Sequence, residues 1–245
     1  MKTTLRIPRR YRGPSRSGNG GISAGLVATS GAFEDAAAVE VTLRTPPPLD
    51  VDLALSRTDA GVALHHGQTL VATARTATLP DDVPDAVDGE TARAAMAGYR
   101  NRDGHPLPEC YVCGTSRGER DSMRLHAGPV AGRDIVATRW TPLAEDGDGT
   151  GHVMTPVVWG ALDCPSFLGL GAAAPFALLG RLTASVLRRP EIGEPCVVIG
   201  WSVRPAEGRK HFGGAAVFGA DGARVGWSHA TWIQVDPAAF ADVRG

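Results

Sequence analysis

The chain has 245 residues, a formal net charge of −1, 43% hydrophobic residues and 21% charged residues, which is ordinary for a globular protein. The near-zero charge provides no overall positive field, which argues against nucleic acid or an anionic membrane as a partner. No apolar run approaches the length of about 18 residues that a membrane helix needs. Residues 1–21 lack the apolar core of a secretion signal. We therefore expect a cytoplasmic protein with reduced cysteines.

Residues 1–108 are predicted to form one unit that contains an arm, a helix, several strands and a connector. Residues 1–18 are basic and predict a mobile arm that lies over the fold. Asn19 is a good N-cap and opens a helix predicted to run to about Ser30. Alternating apolar and polar residues predict strands over Val39–Arg44, Val51–Arg57, Val62–His66 and Thr69–Thr78. The Asp- and Pro-rich connector, residues 80–108, holds one short predicted helix, Gly89–Tyr99.

Residues 109–245 repeat this order after an insert that carries a Cys pair and a predicted strand, Asp134–Trp140. A helix is predicted over Pro156–Leu170, and Pro165 should kink or end it soon after Asp163. The strands predicted after it are Leu182–Arg188, Cys196–Arg204, His211–Phe218 and Val225–Val235. Helix followed by strands in both halves predicts an α+β fold in which each helix packs on a curved antiparallel sheet. Joining the two sheets edge to edge removes two exposed edges.

Three stretches of this sequence resemble the hotdog superfamily in its fused, double-hotdog form, and within it the acyl-CoA thioesterases. They are Asn19-Gly20-Gly21, Gly160-Ala161-Leu162-Asp163, and the strand-turn-strand run from Gly208 to Trp232. The resemblance covers about residues 17–78 and 152–235. It implies hydrolysis of an acyl thioester, linked to coenzyme A or to an acyl carrier protein, without a cofactor. A homodimer is a further possibility, and the insert over residues 109–150 is not a general feature of the superfamily.

The resemblance also implies how the two halves share a site. In many hotdog thioesterases a glycine at the helix start offers its N–H to the thioester carbonyl. A carboxylate eight residues along the partner helix faces that glycine. Thr155 stands eight residues before Asp163, whereas the residue eight positions after Gly21 is Thr29. The expectation is therefore one composite site, Gly21 with Asp163, and one degenerate site, Thr155 with Thr29.

Asp163 is the candidate catalytic residue that the sequence favours. A carboxylate between Leu162 and Cys164 on an apolar helix is costly unless it is paired or hydrogen-bonded. Burial would raise its pKa and make it a better general base for water. The sequence leaves open whether this group activates water or attacks the thioester itself. A structural, hydrogen-bonded or exposed helix carboxylate is the alternative.

Gly20 and Gly21 are candidates for an oxyanion hole, because the N–H groups of a first helical turn lack partners and the helix dipole favours a negative oxygen there. The alternative is a flexible hinge between the arm and the helix. Asn19 is expected to cap the helix, with contact to the thioester carbonyl as the second possibility.

Basic residues clustered before a predicted strand are candidates for binding the phosphates of coenzyme A, as the resemblance implies. They are Arg209, Lys210 and His211, with Arg188 and Arg189 as nearby candidates. Solvated loop charges are the alternative, and the usual fate of such residues. Trp159, on the helix predicted over Pro156–Leu170, is expected to belong to the core or to the wall of the substrate pocket. Thr155, just before that helix, is a further candidate for substrate binding.

The pair Cys110 and Cys113 forms a CxxC that His105 and His126 could complete into a structural zinc site. The spacing is loose and no second CxxC exists, so two reduced residues in a tight turn, without metal, are the preferred interpretation. Cys164 is expected to be a packed helix residue rather than a nucleophile, because no histidine base can be assigned to it.

Two other functions fit the same resemblance. The first is a non-catalytic protein that binds acyl ligands, in which the degenerate first half reflects lost chemistry. The second is a hotdog dehydratase or hydratase, which would need a histidine paired with an acid. The absence of an HxxxGxxxxP pattern counts against the second.

Overall fold

The computed structural model describes residues 3–33 and 36–240, and these form one antiparallel sheet with helices packed on it. In the first half the strands are β1 Thr4–Leu5, β2 Val39–Leu43, β3 Leu53–Thr58, β4 Gly61–His66 and β5 Thr69–Thr76. In the second half they are β6 Gly128–Pro129, β7 Ile135–Trp140, β8 Ala177–Val186, β9 Cys196–Glu207, β10 Lys210–Phe218 and β11 Arg224–Gln234. The helices are α1 Gly20–Ala28, α2 Gly89–Ala95, α3 Thr155–Ala161 and α4 Cys164–Leu168.

The strand order is β1-β3-β4-β5-β2-β8-β11-β10-β9-β7-β6 across the described residues. The two halves meet where β2 pairs with β8, with Val41 opposite Leu182. Four strands follow the same order outward from this joint in each half, β2-β5-β4-β3 in the first and β8-β11-β10-β9 in the second. The structure therefore has the predicted arrangement of two helix-on-sheet units joined edge to edge.

Helices α1 and α3 cross at very short range because glycines occupy the crossing point. A Cβ on Gly25 would lie 2.6 Å from the Pro156 Cα and 2.8 Å from the Trp159 Cβ, and a Cβ on Gly160 would lie 2.7 Å from the Ile22 Cγ1. These distances are shorter than a Cβ can tolerate. The absence of side chains there lets the start of α1 reach the end of α3.

The second helix breaks at the residue that the sequence singled out. Pro165 has no N–H and its ring clashes with the carbonyl four residues earlier, and α3 ends at that residue, Ala161. Asp163 lies between α3 and α4 with φ −82° and ψ −85°. The break is two residues earlier than the predicted kink, so it includes the acid.

The N-terminal arm is not mobile as predicted but part of the core. Ile7 is fully buried and Tyr11 is buried as well, and β1 pairs with β3. Arg12 forms an ion pair with Glu109 over 3.0 Å. The basic composition of the arm drew attention away from its two buried apolar residues, Ile7 and Tyr11. These residues pack the arm against the first unit and the insert.

The remaining differences from the prediction concern where one strand begins and where the short helix of the connector ends and packs. The strand predicted from Leu182 begins at Ala177, because its first residues are apolar without alternation and carry no strand signal. The short helix predicted over Gly89–Tyr99, α2, ends at Ala95 and continues as one 3-10 turn. It packs with Ile199 and Phe218 on the sheet face opposite α4. None of the helices among the described residues has the length and apolar character needed to cross a membrane.

Arg188, a candidate for binding coenzyme A, instead joins a network that fixes the turns at one end of the second unit. Its guanidinium donates to both carboxylate oxygens of Glu194, over 2.9 and 2.6 Å. The same carboxylate accepts from the backbone N–H groups of Glu191 and Ala220. The Arg188 hydrogen bonds lower the pKa of Glu194 to about 2.

Replacing Gly25 with alanine should force α1 and α3 apart and lower the free energy of unfolding by about 1–3 kcal/mol, the usual cost of overpacking. Urea denaturation measures the change. Gly89→Ala is the matched control, because nothing lies within 4 Å of a Cβ at that helical glycine. Equal stability of Gly25→Ala and wild type would contradict the close crossing.

Replacing Glu194 with glutamine should lower the unfolding free energy at neutral pH by about 2 kcal/mol, since hydrogen bonds to a charged group are lost. The pKa of Glu194 is near 4.5 in the unfolded protein and lower in the folded one, so its ionised carboxylate stabilises the fold fully above pH 4.5. This stabilisation disappears as the pH falls towards about 2. Denaturation of both proteins at pH 7 and pH 3 should show the gap narrowing in acid. A gap that stays constant would rule out the ionised carboxylate as its source.

Candidate functional site

A mostly apolar cavity of about 230 Å³ lies at the joint between the two units. Its apolar wall includes Leu43, Leu107, Phe167, Leu178, Leu179 and Trp232. Its polar side chains include Asn19, His105, Asp163 and the thiols of Cys110, Cys113 and Cys164. An apolar space with a few convergent polar groups is the usual form of a small-molecule site.

Asp163 lies at this joint with its two oxygens in different surroundings. Its side chain is buried, with 2% of the residue exposed. Oδ2 accepts a hydrogen bond from the Asn19 amide over 2.7 Å and one from the Gly21 N–H over 3.0 Å. Oδ1 is buried and has no hydrogen-bond partner among the described residues. The structure thus brings Gly21 and Asp163 together, with one carboxylate oxygen held and the other unpartnered.

Burial raises the pKa of Asp163 to about 7, because the cavity wall desolvates the carboxylate. The hydrogen bonds from Gly21 and Asn19 oppose this rise by stabilising the charged form, while the nearby Cys110 adds to it. A carboxyl group with this pKa can exchange a proton near neutrality, which suits a general acid or base.

The start of α1 explains why glycine and asparagine occupy these positions. A Cβ on Gly21 would overlap the Asp163 side chain and the Trp159 carbonyl oxygen. Asn19 caps the helix, since its Oδ1 accepts from the Ile22 N–H over 2.9 Å while its Nδ2 donates to Asp163. Asn19 therefore does more than the expected capping, because it also positions the carboxylate.

The N–H of Gly21, a candidate oxyanion donor, is already used by Asp163 Oδ2. Gly20 lines the cavity, and no acceptor for its N–H is found among residues 3–33 and 36–240. The donor available to a bound carbonyl in this turn is accordingly Gly20.

The other two candidates on the second helix lie away from the cavity. Trp159 is buried against Gly25 at the helix crossing, and Thr155 begins α3 at its opposite end. Thr29, the expected partner of Thr155, donates its hydroxyl to the Gly25 carbonyl oxygen over 2.7 Å. Neither Trp159 nor Thr155 lines the cavity that holds Asp163.

A second, open groove of about 470 Å³ lies on the outer face of the sheet, where Glu40, Thr42 and Thr231 alternate with the residues that face the helices. Leu43, Gly180 and Ile233 line both the groove and the cavity. Its basic lining residues are Arg44, Arg181, Arg204 and Lys210, and its acidic ones are Glu40 and Glu207. Of the predicted coenzyme A contacts, Lys210 lies in this groove. Arg209, His211 and Arg188 line neither the cavity nor the groove.

Three thiols meet beside Asp163. Cys110, Cys113 and Cys164 are buried, and their sulfur atoms all lie within 4.8 Å of one another. The interactions among the three thiols lower the pKa of Cys110 and raise the pKa of Cys113 and of Cys164. Cys164 is packed, as expected, but beside two other thiols.

Sequence reasoning missed two contributions to the cavity. The arm supplies Gly13, Pro14, Ser17 and Gly18 to its rim, and only the two buried apolar residues of the arm hinted at this. His105 lines the cavity with a buried Nε2 that has no partner in the described part of the chain. Its Nδ1 accepts from the Leu107 N–H over 2.9 Å. The CxxC nearby was the available signal, and it was interpreted as a tight turn.

No protein-family model matches the chain, and no curated protein matches it in sequence. Solved structures do match. A provisionally assigned thioesterase II from Thermobifida fusca YX is 16% identical, with a TM-score of 0.58, over 95% of this chain and 92% of that one. A conserved protein of unknown function with a hot dog fold from Alicyclobacillus acidocaldarius is 11% identical, with a TM-score of 0.57, over 96% and 93% of the two chains.

At these identities the likeness concerns the fold. It extends over nearly the whole chain, so it includes both units, the insert and the joint that holds the cavity. The expected hotdog fold is confirmed by this likeness.

Proposed function

We propose that this protein hydrolyses an acyl thioester in the cavity at the joint of its two units. The observation that carries the proposal is the Asp163 carboxylate, which lines an apolar cavity with Oδ2 held by Asn19 and Gly21 and Oδ1 unpartnered. The thioesterase assignment of the Thermobifida structure supports the same reaction class.

The reaction uses the polar groups at one end of the cavity and the apolar wall at the other. The acyl chain lies along the wall, and the thioester carbonyl points to the Gly20 N–H, where the α1 dipole favours negative charge. Asp163 Oδ1 takes a proton from water as the water oxygen bonds to the carbonyl carbon. The C–S bond then breaks, and the proton passes to the departing thiolate. Direct attack by Oδ1 is the alternative that the same geometry allows.

Asp163→Asn should lower kcat for thioester hydrolysis by about 10²–10⁴-fold, the usual contribution of a general base. The fold should persist, because an amide oxygen can still accept from Asn19 and Gly21. Turnover with a panel of short, long and aryl acyl-CoA esters measures the effect.

The matched control is Asp146→Asn. Asp146 is as buried as Asp163 but pairs with Arg10 over 3.2 Å, outside the cavity. This variant should lose stability and keep its kcat. A fully active Asp163→Asn would overturn the assignment, and a folded wild type without any turnover would favour a binding protein.

For the group that carries the acyl chain we propose coenzyme A. The open groove on the outer face of the sheet shares Leu43, Gly180 and Ile233 with the cavity and presents Arg44, Arg181 and Lys210, and phosphates are well matched to such side chains. Glu40 forms an ion pair with Arg181 over 3.6 Å and partly neutralises it. Lys210 and Arg44 have no ion-pair partner among the described residues, so both cations are free to meet a phosphate.

Lys210→Ala should raise KM for acyl-CoA several-fold with kcat little changed, since it removes binding common to ground and transition states. The same variant should act normally on the N-acetylcysteamine ester of the same acyl group, which has no phosphate. Arg209→Ala, one residue away and outside the groove, is the control. Equal KM changes for both esters would place Lys210 in another role.

A hydratase remains the second candidate because His105 shares the cavity with Asp163. Its Nε2 is buried and has no partner among the described residues, and a hydratase needs a histidine beside an acid. Assaying enoyl-CoA hydration beside thioester hydrolysis distinguishes the two reactions.

A further inference from the structure

The three-thiol cluster brings together sulfur atoms from two distant parts of the chain. Cys110 and Cys113 belong to the insert, and Cys164 is the first residue of α4. The Cys110 and Cys164 sulfurs are 3.9 Å apart. With Zn–S bonds of about 2.3 Å, sulfurs at two corners of a tetrahedron lie about 3.8 Å apart. The cluster therefore needs movements of only tenths of an ångström to about 1 Å to surround one ion.

The Asn19 side chain and the CxxC turn surround the cluster. The Asn19 amide nitrogen lies 3.8 Å from the Cys110 sulfur and 4.0 Å from that of Cys164. The turn that creates this arrangement closes with a hydrogen bond of 2.8 Å from Gly114 N–H to the Cys110 carbonyl oxygen. A Cβ on Gly114 would clash with backbone oxygens, so this turn requires glycine at that position.

We propose that Cys110, Cys113 and Cys164 form a binding site for a thiophilic divalent cation, with zinc as the ion. Three thiolates from the protein and a fourth position open to the cavity match the form of zinc sites that keep one exchangeable ligand. All three cysteines line the cavity, so water can complete the coordination from there.

This site differs from the one considered from the sequence alone, which relied on His105 and His126. The His126 ring stacks on Tyr99, and its Nε2 lies 3.2 Å from the Gly114 carbonyl oxygen. The His105 Nδ1 accepts from a backbone N–H. Among the described residues the group of ligands within reach of one another contains the three cysteines and neither histidine.

A disulfide is the competing fate of adjacent thiols. It requires an S–S distance of about 2.05 Å, nearly 2 Å shorter than the 3.9 Å between Cys110 and Cys164. A cation accounts for the spacing of the three sulfurs.

A bound ion would connect the insert to the break between α3 and α4. Cys164 follows Asp163 directly, and Asn19 contacts both the carboxylate and the two sulfurs. The ion would thus brace the segment that positions the carboxylate. This consequence concerns stability and does not depend on the proposed reaction.

Titration of the metal-free, reduced full-length protein with Co²⁺ tests the site by spectroscopy. We expect one Co²⁺ per chain, a thiolate-to-cobalt charge-transfer band, and loss of that band when Zn²⁺ is added. Thermal unfolding should shift to higher temperature on addition of Zn²⁺ and return on chelation.

Serine variants identify the ligands. Cys113→Ser and Cys110→Ser should each weaken Co²⁺ binding by more than the 10–100-fold typical of outer-sphere changes. Cys196→Ser is the matched control, because Cys196 is equally buried but lies on β9 outside the cluster. A folded wild-type protein that shows no charge-transfer band, or a band that survives in Cys110→Ser, would overturn the proposal whatever the enzymatic activity.

Discussion

The architecture of the site depends on one buried carboxylate held across two units. Asp163 comes from the second unit, and both donors to its Oδ2 come from the first residues of α1 in the first unit. Burying a charge is unfavourable unless donors compensate it, and here only one of the two oxygens is compensated. Such an arrangement needs a very close approach of the helices. The glycines at positions 21, 25 and 160 permit that approach, since a side chain at any of them would collide with the other helix.

Much of the fold could be predicted from the sequence, because apolar and polar residues alternate along its strands and a proline interrupts its second long helical segment. Period-2 patterning located the long strands of both halves to within a few residues, and proline located the break in the second helix. The pairing of Gly21 with Asp163 was expected from spacing and resemblance, and the structure places them 3.0 Å apart. The spacing could not reveal which partner uses the glycine N–H. That depends on side-chain rotamer and burial, and in this chain the carboxylate itself takes the bond.

Other features lay outside what a single sequence encodes locally. Cys164 stands 51 positions after Cys113, so no spacing rule associates it with the CxxC, and only the fold brings them together. The predicted basic cluster over residues 209–211 is divided by the pleat and by the turn before β10, so that Lys210 lines the groove and its neighbours do not. The arm was judged by its charge, whereas its position is set by the burial of Ile7 and Tyr11.

Only one of the two units supplies a carboxylate, Asp163, and the two ends of the α1–α3 pair have different surroundings. At the Asp163 end, the arm and the insert close over the joint: Tyr111 donates its backbone N–H to the Arg12 carbonyl oxygen over 2.8 Å, and Arg12 pairs with Glu109. These segments desolvate the carboxylate and enclose an apolar cavity. The opposite end has Thr29 and Thr155, and neither residue lines the cavity. An acid there would lack both the enclosure that raises its pKa and the Asn19 amide that orients it. Two copies of the helix-on-sheet unit can therefore support one carboxylate site, because the covering segments exist once.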